Sequence, residues 1–308
     1  MLFEFFPLRF QFLARDSIYF APGQAANTLR GALGVIFRRI ACAPECQDTR
    51  TCSARHSCSY ARIFEPVSQG DGPSGLADSP RPFVFRARHL DGKTVQAGQP
   101  FHFDLHVFSL ERDTLSYFVR TFAELVREGI GPRRGKAELQ RVLRLGIGDA
   151  EPSVLSDSVA PASLDLTASS PAPRIIRVEF LSPTELKHED RIADRPEFPI
   201  LLARIRDRIS TLRALYGSGP LEIDFQGFGL RAASVRMTRC EGRNITAERH
   251  STRTGQTHSI GGFVGTAEYE GDLTEFLPYL EAARWVGVGR QAVWGKGEIG
   301  LTCIMDND

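Results

Sequence analysis

Residues 100–145 read PFHFDLHVFSLERDTLSYFVRTFAELVREGIGPRRGKAELQRVLRL, and this stretch decides the fold. Phe101, Phe103, Leu105 and Val107 alternate with His102, Asp104 and His106, the two-residue period of a strand. The period then lengthens. Leu115, Phe118, Val119, Phe122, Leu125 and Val126 make one face of a helix, which Gly129 stops. A glycine-rich, basic loop follows, and AELQRVLRL closes the unit as a short final element.

Upstream, Phe3, Phe5, Leu8, Phe10 and Phe12 recur at near-strand spacing around Pro7. Leu29, Leu33, Ile36, Phe37 and Ile40 follow Pro22-Gly23 at helical spacing, and PFVFRARHL reads as another strand. Residues 1–148 thus give β-α-β-β-α-β, with a cysteine-rich insertion at 42–58 and a Gly/Pro/Ser/Asp-rich surface loop at 67–82.

Residues 149–172 lose periodicity and read as a linker. Residues 173–308 repeat the plan: RIIRVEFLS as a strand, PEFPILLARIRDRISTLRALYG as a helix ended by Gly217, LEIDFQ as a strand-like run, and strands around RAASVRMTR and GGFVGTAEYEG. DLTEFLPYLEAARW follows as a helix with Asp272 as N-cap and an interruption at Pro278, before a second glycine-rich loop and a terminal strand. The fold class expected is α+β: tandem ferredoxin-like (RRM-like) domains with a small cysteine-rich metal-binding insertion.

The 308 residues carry a formal net charge of +1, so no global basic field advertises a polyanion partner and any such surface is local. Lys occurs only at Lys93, Lys136, Lys187 and Lys296; every other basic residue among the 38 is Arg, whose planar fork suits phosphate and base stacking. The N-terminal MLFEFFPLRFQFLARD is interrupted by Glu4 and Arg9 and is a poor signal peptide, and no apolar run of about 18 residues exists. A cytoplasmic, soluble protein is expected.

The first loop is Gly129-Ile130-Gly131-Pro132-Arg133-Arg134-Gly135-Lys136, and the matching position of the second half carries Gly287-Val288-Gly289-Arg290-Gln291-Ala292-Val293-Trp294-Gly295-Lys296-Gly297. Glycines let backbone N–H groups approach a polyanion, Arg and Lys neutralise phosphate, and Trp294 is suited to stacking on an unpaired base. The second loop is only superficially a dinucleotide G-x-G-x-x-G, since no parallel β-α-β unit surrounds it. RNA binding is therefore expected of Gly129, Gly131, Arg133, Arg134, Gly135 and Lys136, and of Gly287, Gly289, Arg290, Gln291, Trp294, Gly295, Lys296 and Gly297.

Cys42, Cys46, Cys52 and Cys58 fall in one short segment, with spacing C-x3-C-x5-C-x5-C. Disulfides are disfavoured in a reducing compartment, so the four thiols point to a metal: structural zinc, with an iron–sulfur cluster or free thiols as the alternatives. His56 could replace one thiol. For acid–base chemistry the polar run from Glu248 to His258 stands out, with His250 and His258 among Arg249, Arg253 and hydroxyl residues.

The second half, through LSPTELK, RHSTRTGQTHSIGGFVGTAEYEG and WVGVGRQAVWGKG, resembles the C-terminal domain of the CRISPR-associated precursor-crRNA endoribonucleases of the RAMP superfamily. The first half resembles their N-terminal domain through LRGALG, CSYARIFEP, AGQPFHFDLHVF and GIGPRRG. The resemblance implies a metal-independent ribonuclease that cuts CRISPR repeat RNA, leaving 2′,3′-cyclic phosphate and 5′-hydroxyl ends. Catalysis would need no cofactor, and the partners would be repeat RNA or crRNA and other CRISPR effector subunits. His250 or His258 would serve as acid/base, with Arg249 and Arg253 on the phosphate. Where relatives tend to read Arg-Tyr-Ser and His-Val-Gly-Lys, this chain has Arg249-His250-Ser251 and Gly287-Val288-Gly289-Arg290, and its first helix holds no histidine. These departures keep open a non-catalytic RAMP subunit that binds crRNA.

Overall fold

The computed structural model describes residues 1–42, 45–46, 48–49, 51–66, 79–156, 158–167, 173–189, 191–246, 248–250, 257–259 and 261–304. The chain divides into two compact units. One holds Glu4–Ala162 and Ala214–Gly219; the other holds Met1–Phe3, Ser163–Arg213 and Pro220–Asp308.

The first half contains β1 (Leu2–Ala14), β2 (Ile18–Tyr19), α1 (Ala25–Ala41), α2 (Ser59–Ile63), β3 (Phe83–Arg86), β4 (Thr94–Val95), β5 (Pro100–Val107), α3 (Arg112–Glu128) and β6 (Ala137–Arg144). Its sheet runs β3-β5-β1-β6, antiparallel throughout. That is the order produced when two β-α-β passes interleave, the ferredoxin-like arrangement.

Aromatic side chains fill the space between sheet and helices. Phe10 meets Phe103 at 5.6 Å between ring centroids and Phe122 of α3 at 4.7 Å, while Phe12 stacks on Phe101 at 5.1 Å. These rings come from alternate strand positions and from one helical face, as the periodicity of residues 100–145 predicts. His106 departs from the pattern. It is 4 % exposed, edge-on to Phe5, because this end of β5 is covered on both faces.

Within 149–172, read from sequence as a linker, the chain forms β7 (Ser153–Val154), paired with β6, and β8 (Ala162–Asp165), paired with β1. Both strands are too short to show a hydrophobic period.

The second half contains β9 (Ile175–Thr184), β10 (Lys187–His188), β11 (Arg191–Ile192), α4 (Phe198–Tyr216), α5 (Phe225–Ala232), β12 (Arg236–Ile245), β13 (Glu248–His250), β14 (Thr257–Ser259), β15 (Gly262–Glu270), α6 (Leu277–Val286) and β16 (Ile299–Ile304). Its sheet runs β12-β15-β9-β16, again antiparallel and in the same interleaved order.

Two local expectations are corrected. LEIDFQ is not a strand: Asp224 accepts a hydrogen bond from Gly227 N at 2.9 Å and starts α5, which buries Phe228 and Ala232 at helical spacing. Pro278 does not interrupt a helix either. α6 begins only at Leu277, so the proline lies in the first turn, where its missing N–H costs nothing. Asp272 binds Thr274 N at 3.1 Å in the preceding turn. Among the described residues no helix is long and apolar enough to cross a membrane.

Candidate functional site

The pairing of the second sheet brings the C-terminal ends of β9 and β12 and the starts of β15 and β16 to one edge. The loop Gly287–Gly297 leads into β16 and is stitched to the end of β9 at this edge. Gly297 N donates to Pro183 O at 3.1 Å, Arg290 N to Glu185 O at 3.1 Å, and Glu298 N to Ser182 Oγ at 2.9 Å. Gly287, Gly289, Gly295 and Gly297 all have φ between 66° and 78°, and Gln291 joins them at 64°, so these positions of the loop take a backbone conformation that most side chains resist.

This packing sorts the expected RNA-binding residues. Arg290 donates to Glu185 Oε1 at 2.6 Å; the carboxylate is 9 % exposed and the arginine 59 %. A buried anion thus holds the base of an arginine that projects into solvent. Lys296, in contrast, is buried at 7 % exposure, and Trp294 is half-buried with its indole nitrogen enclosed. The sequence marked Arg290 and Lys296 for phosphate and Trp294 for base stacking, but of the two cations only Arg290 is presented openly.

Beyond Ile245 and Gly262 the β12–β15 hairpin continues as β13–β14. The register sets Arg249 opposite His258 and His250 opposite Thr257. For Arg249, His250 and His258 the structure describes the backbone pairing; Ser251 and Arg253 lie outside the described residues.

The first half repeats the device. Its loop is a tight turn closed by Ile130 N to Gly135 O at 2.8 Å and Gly135 N to Ile130 O at 3.0 Å, with Gly129, Gly131 and Arg134 at positive φ. Lys136 O accepts from Arg15 N and Asp16 N just past the end of β1, so this loop too is tied to the end of its domain's first strand. Arg133, Arg134 and Lys136 are exposed. Arg134 lies 3.4 Å from Glu128 and Lys136 N donates to Asp16 Oδ2 at 3.0 Å, while the side chains of Arg133 and Lys136 form no ion pair among the described residues.

A pair of histidines escaped the sequence reading. His89 and His102 stack at 4.4 Å between ring centroids, and the His89 Nε2 lies 2.9 Å from the His102 carbonyl oxygen. Burial, then repulsion from Arg9 and His89, lowers the His102 pKa below the ordinary 6.5, with Asp104 opposing. The pairing of β3 with β5 and the single 3-10 turn at Arg88–Leu90 unite them, so no spacing in the sequence could have signalled the pair. They wall a groove of about 400 Å³ with Lys93 and Phe101.

In the cysteine segment, the Cys46 thiol is pushed up to about 12, chiefly by its hydrogen bond with Cys42, then by desolvation and by Cys52. Cys58 Sγ lies 3.8 Å from Ala41 O, beside Cys42. Cys46 thus links Cys42 and Cys52, and Cys58 reaches the end of α1. Among the described residues no group of three or more His, Cys, Asp or Glu side chains is arranged as a metal-holding cluster, so the expected metal-binding insertion is present as gathered thiols without a closed cage.

A family model described as CRISPR-associated endoribonuclease Cas6 matches residues 178–299, from within β9 to the start of β16. A second, described as an N-terminal domain, matches residues 3–163. No curated protein matches the sequence. Among solved structures, the Cas6 (TTHA0078) product complex is 18 % identical with a TM-score of 0.54, covering 98 % of this chain and 100 % of that one. Thermus thermophilus Cas6 (TTHB231) is 14 % identical with a TM-score of 0.54, covering 97 % and 99 %. A partial Cas6-RT-Cas1–Cas2 complex is 13 % identical with a TM-score of 0.57, covering 99 % of this chain and 47 % of that one. These likenesses fix the fold as the tandem ferredoxin-like arrangement. The sheet edge described above thus lies within a domain that matches the Cas6 family of CRISPR-associated endoribonucleases.

Proposed function

We propose that this chain binds a CRISPR repeat in precursor RNA and cuts it once without a metal, leaving a 2′,3′-cyclic phosphate and a 5′-hydroxyl. The observation that carries the reading is the sheet edge: the matched domain includes β9, the β12–β15 hairpin and the loop Gly287–Gly297. Similar solved structures are Cas6 product, substrate-mimic and Cas1–Cas2 complexes, which supports repeat RNA and other CRISPR proteins as partners.

Cleavage of this kind is internal transfer at phosphorus. A base takes the 2′-hydroxyl proton, the 2′-oxygen bonds to phosphorus, the bond to the 5′-oxygen breaks, and an acid protonates that leaving oxygen. Imidazole suits both proton steps near neutral pH, and guanidinium suits the charge that builds on the phosphorane. The register supports Arg249 and His258 as the pair that acts together, with His250 in the adjoining pair; Arg253, outside the described residues, is assigned to the phosphate on its chemistry alone. Arg290, held by Glu185, and the exposed Arg133, Arg134 and Lys136 supply phosphate contacts that position the repeat.

The test is incubation with labelled repeat RNA in EDTA. The expected result is one cut, with a 3′ end that resists polyadenylation until the cyclic phosphate is opened and removed. Several cuts, or a requirement for added magnesium, would overturn the mechanism. Tight binding without any cut would assign the chain to the crRNA-binding role that its histidine-free α1 also fits.

A further inference from the structure

Among the described residues of the segment 42–58 none is in a helix or strand and only Thr49 is buried. The four cysteines nevertheless stand apart from it. Each is half-buried and unoxidised, whereas most of the described residues between them are exposed. Sulfur is therefore the interior of this segment, and no apolar cluster offsets the entropy lost in ordering it.

The ends of the thiol set sit on secondary structure: Cys42 caps the C-terminus of α1 and Cys58 the N-terminus of α2. Those helices are already fixed against each other by Phe37, whose ring lies 5.8 Å from Tyr60 and 6.4 Å from Phe64. Between the ends, Arg38 donates to Cys46 O at 3.0 Å and Thr49 Oγ1 to Glu65 at 2.6 Å, which hold the loop over the helix terminus.

We propose that Cys42, Cys46, Cys52 and Cys58 bind one structural zinc ion as four thiolates, tying the end of α1 to the start of α2. Zn–S bonds of about 2.3 Å place the sulfurs of a tetrahedral site about 3.8 Å apart, the separation of thiols in hydrogen-bond contact. Cys46 interacts with both Cys42 and Cys52, and Cys58 Sγ lies 3.8 Å from the carbonyl oxygen of Ala41, the residue preceding Cys42. Closing the cage takes side-chain rotation and release of four thiol protons to solvent as Zn²⁺ enters, with no change of oxidation state. A four-iron cluster fits less well, since each thiolate would take a different iron and the cluster would hold the sulfurs apart. With four protein ligands the ion has no open position, so its role is structural. The proposal is independent of RNA cleavage.

The full chain, purified under reducing conditions with zinc supplied, should carry about one zinc per molecule by mass spectrometry. Cobalt exchange should give the intense visible bands of a tetrahedral thiolate site. The double variant Cys46→Ser/Cys52→Ser should lose both signals and Cys240→Ser neither. Should the double variant fail to fold, the wild type decides: a chelator strong enough to strip thiolate zinc should expose Arg55 to trypsin, and zinc should restore protection. Less than about a tenth of a zinc per chain with no cobalt bands would overturn the proposal, as would iron with matching sulfide.

Discussion

Gly289 and Gly297 show how little room the loop before β16 leaves. Both have positive φ, and a Cβ would strike the Glu185 carbonyl at the first and the Val288 carbonyl at the second. Gly289→Ala is expected to cost about 1–3 kcal/mol of stability. It should also weaken repeat-RNA binding, because Arg290 is the next residue. Gly229 offers the contrast. It lies in α5 with nothing within 4 Å of the added carbon, so Gly229→Ala should stabilise by roughly 0.5–1 kcal/mol. Urea melts of both variants test the pair. A glycine-rich sequence announces a loop, but it does not distinguish a glycine that clashes from one that does not.

His102 gives a pH dependence at the same scale. Its folded pKa lies below the unfolded value of 6.5, so the unfolded chain binds more protons as the solution acidifies. The stability conferred by neutral His102 is fully present above 6.5 and is lost as pH falls through the folded value. Melting temperatures from pH 7.5 down to 5 should fall less steeply in His102→Gln than in wild type; identical slopes would remove His102 from the account.

Among the elements, the first-half core is the most securely specified, because Phe10, Phe12, Phe101, Phe103 and Phe122 satisfy strand and helix periods at once. Phe103→Ala should cost about 3–5 kcal/mol, read from the denaturation midpoint. Elements went unread where a local hydrogen bond outweighs period. Leu221, Ile223 and Phe225 alternate like a strand, yet the Asp224 cap and Arg206, 4.7 Å from the Phe225 ring centroid, commit the chain to a helix. The hairpin register was equally hidden. It groups Arg249 with His258, which no spacing of residue types reveals.

For the whole molecule, a net charge near zero means that RNA affinity depends on few, placed cations. The two loops announced themselves in sequence through their equivalent positions, but their packing separates residues of the same type. Arg133→Ala, Lys136→Ala and Arg290→Ala should each weaken repeat binding and flatten its salt dependence by about 0.7–1 unit of slope. Lys296→Ala, at a buried position, should lower stability and leave that slope nearly unchanged. The reverse pattern in salt titrations would mean that exposure does not govern which cations meet phosphate.

Single-turnover cleavage of repeat RNA at saturating protein decides most directly whether the β12–β15 hairpin does the cutting. His258→Ala is expected to slow the step by at least ~100-fold, with His250→Ala less affected and RNA affinity little changed in either. Rates within about twofold of wild type for the double variant His250→Ala/His258→Ala would contradict the account.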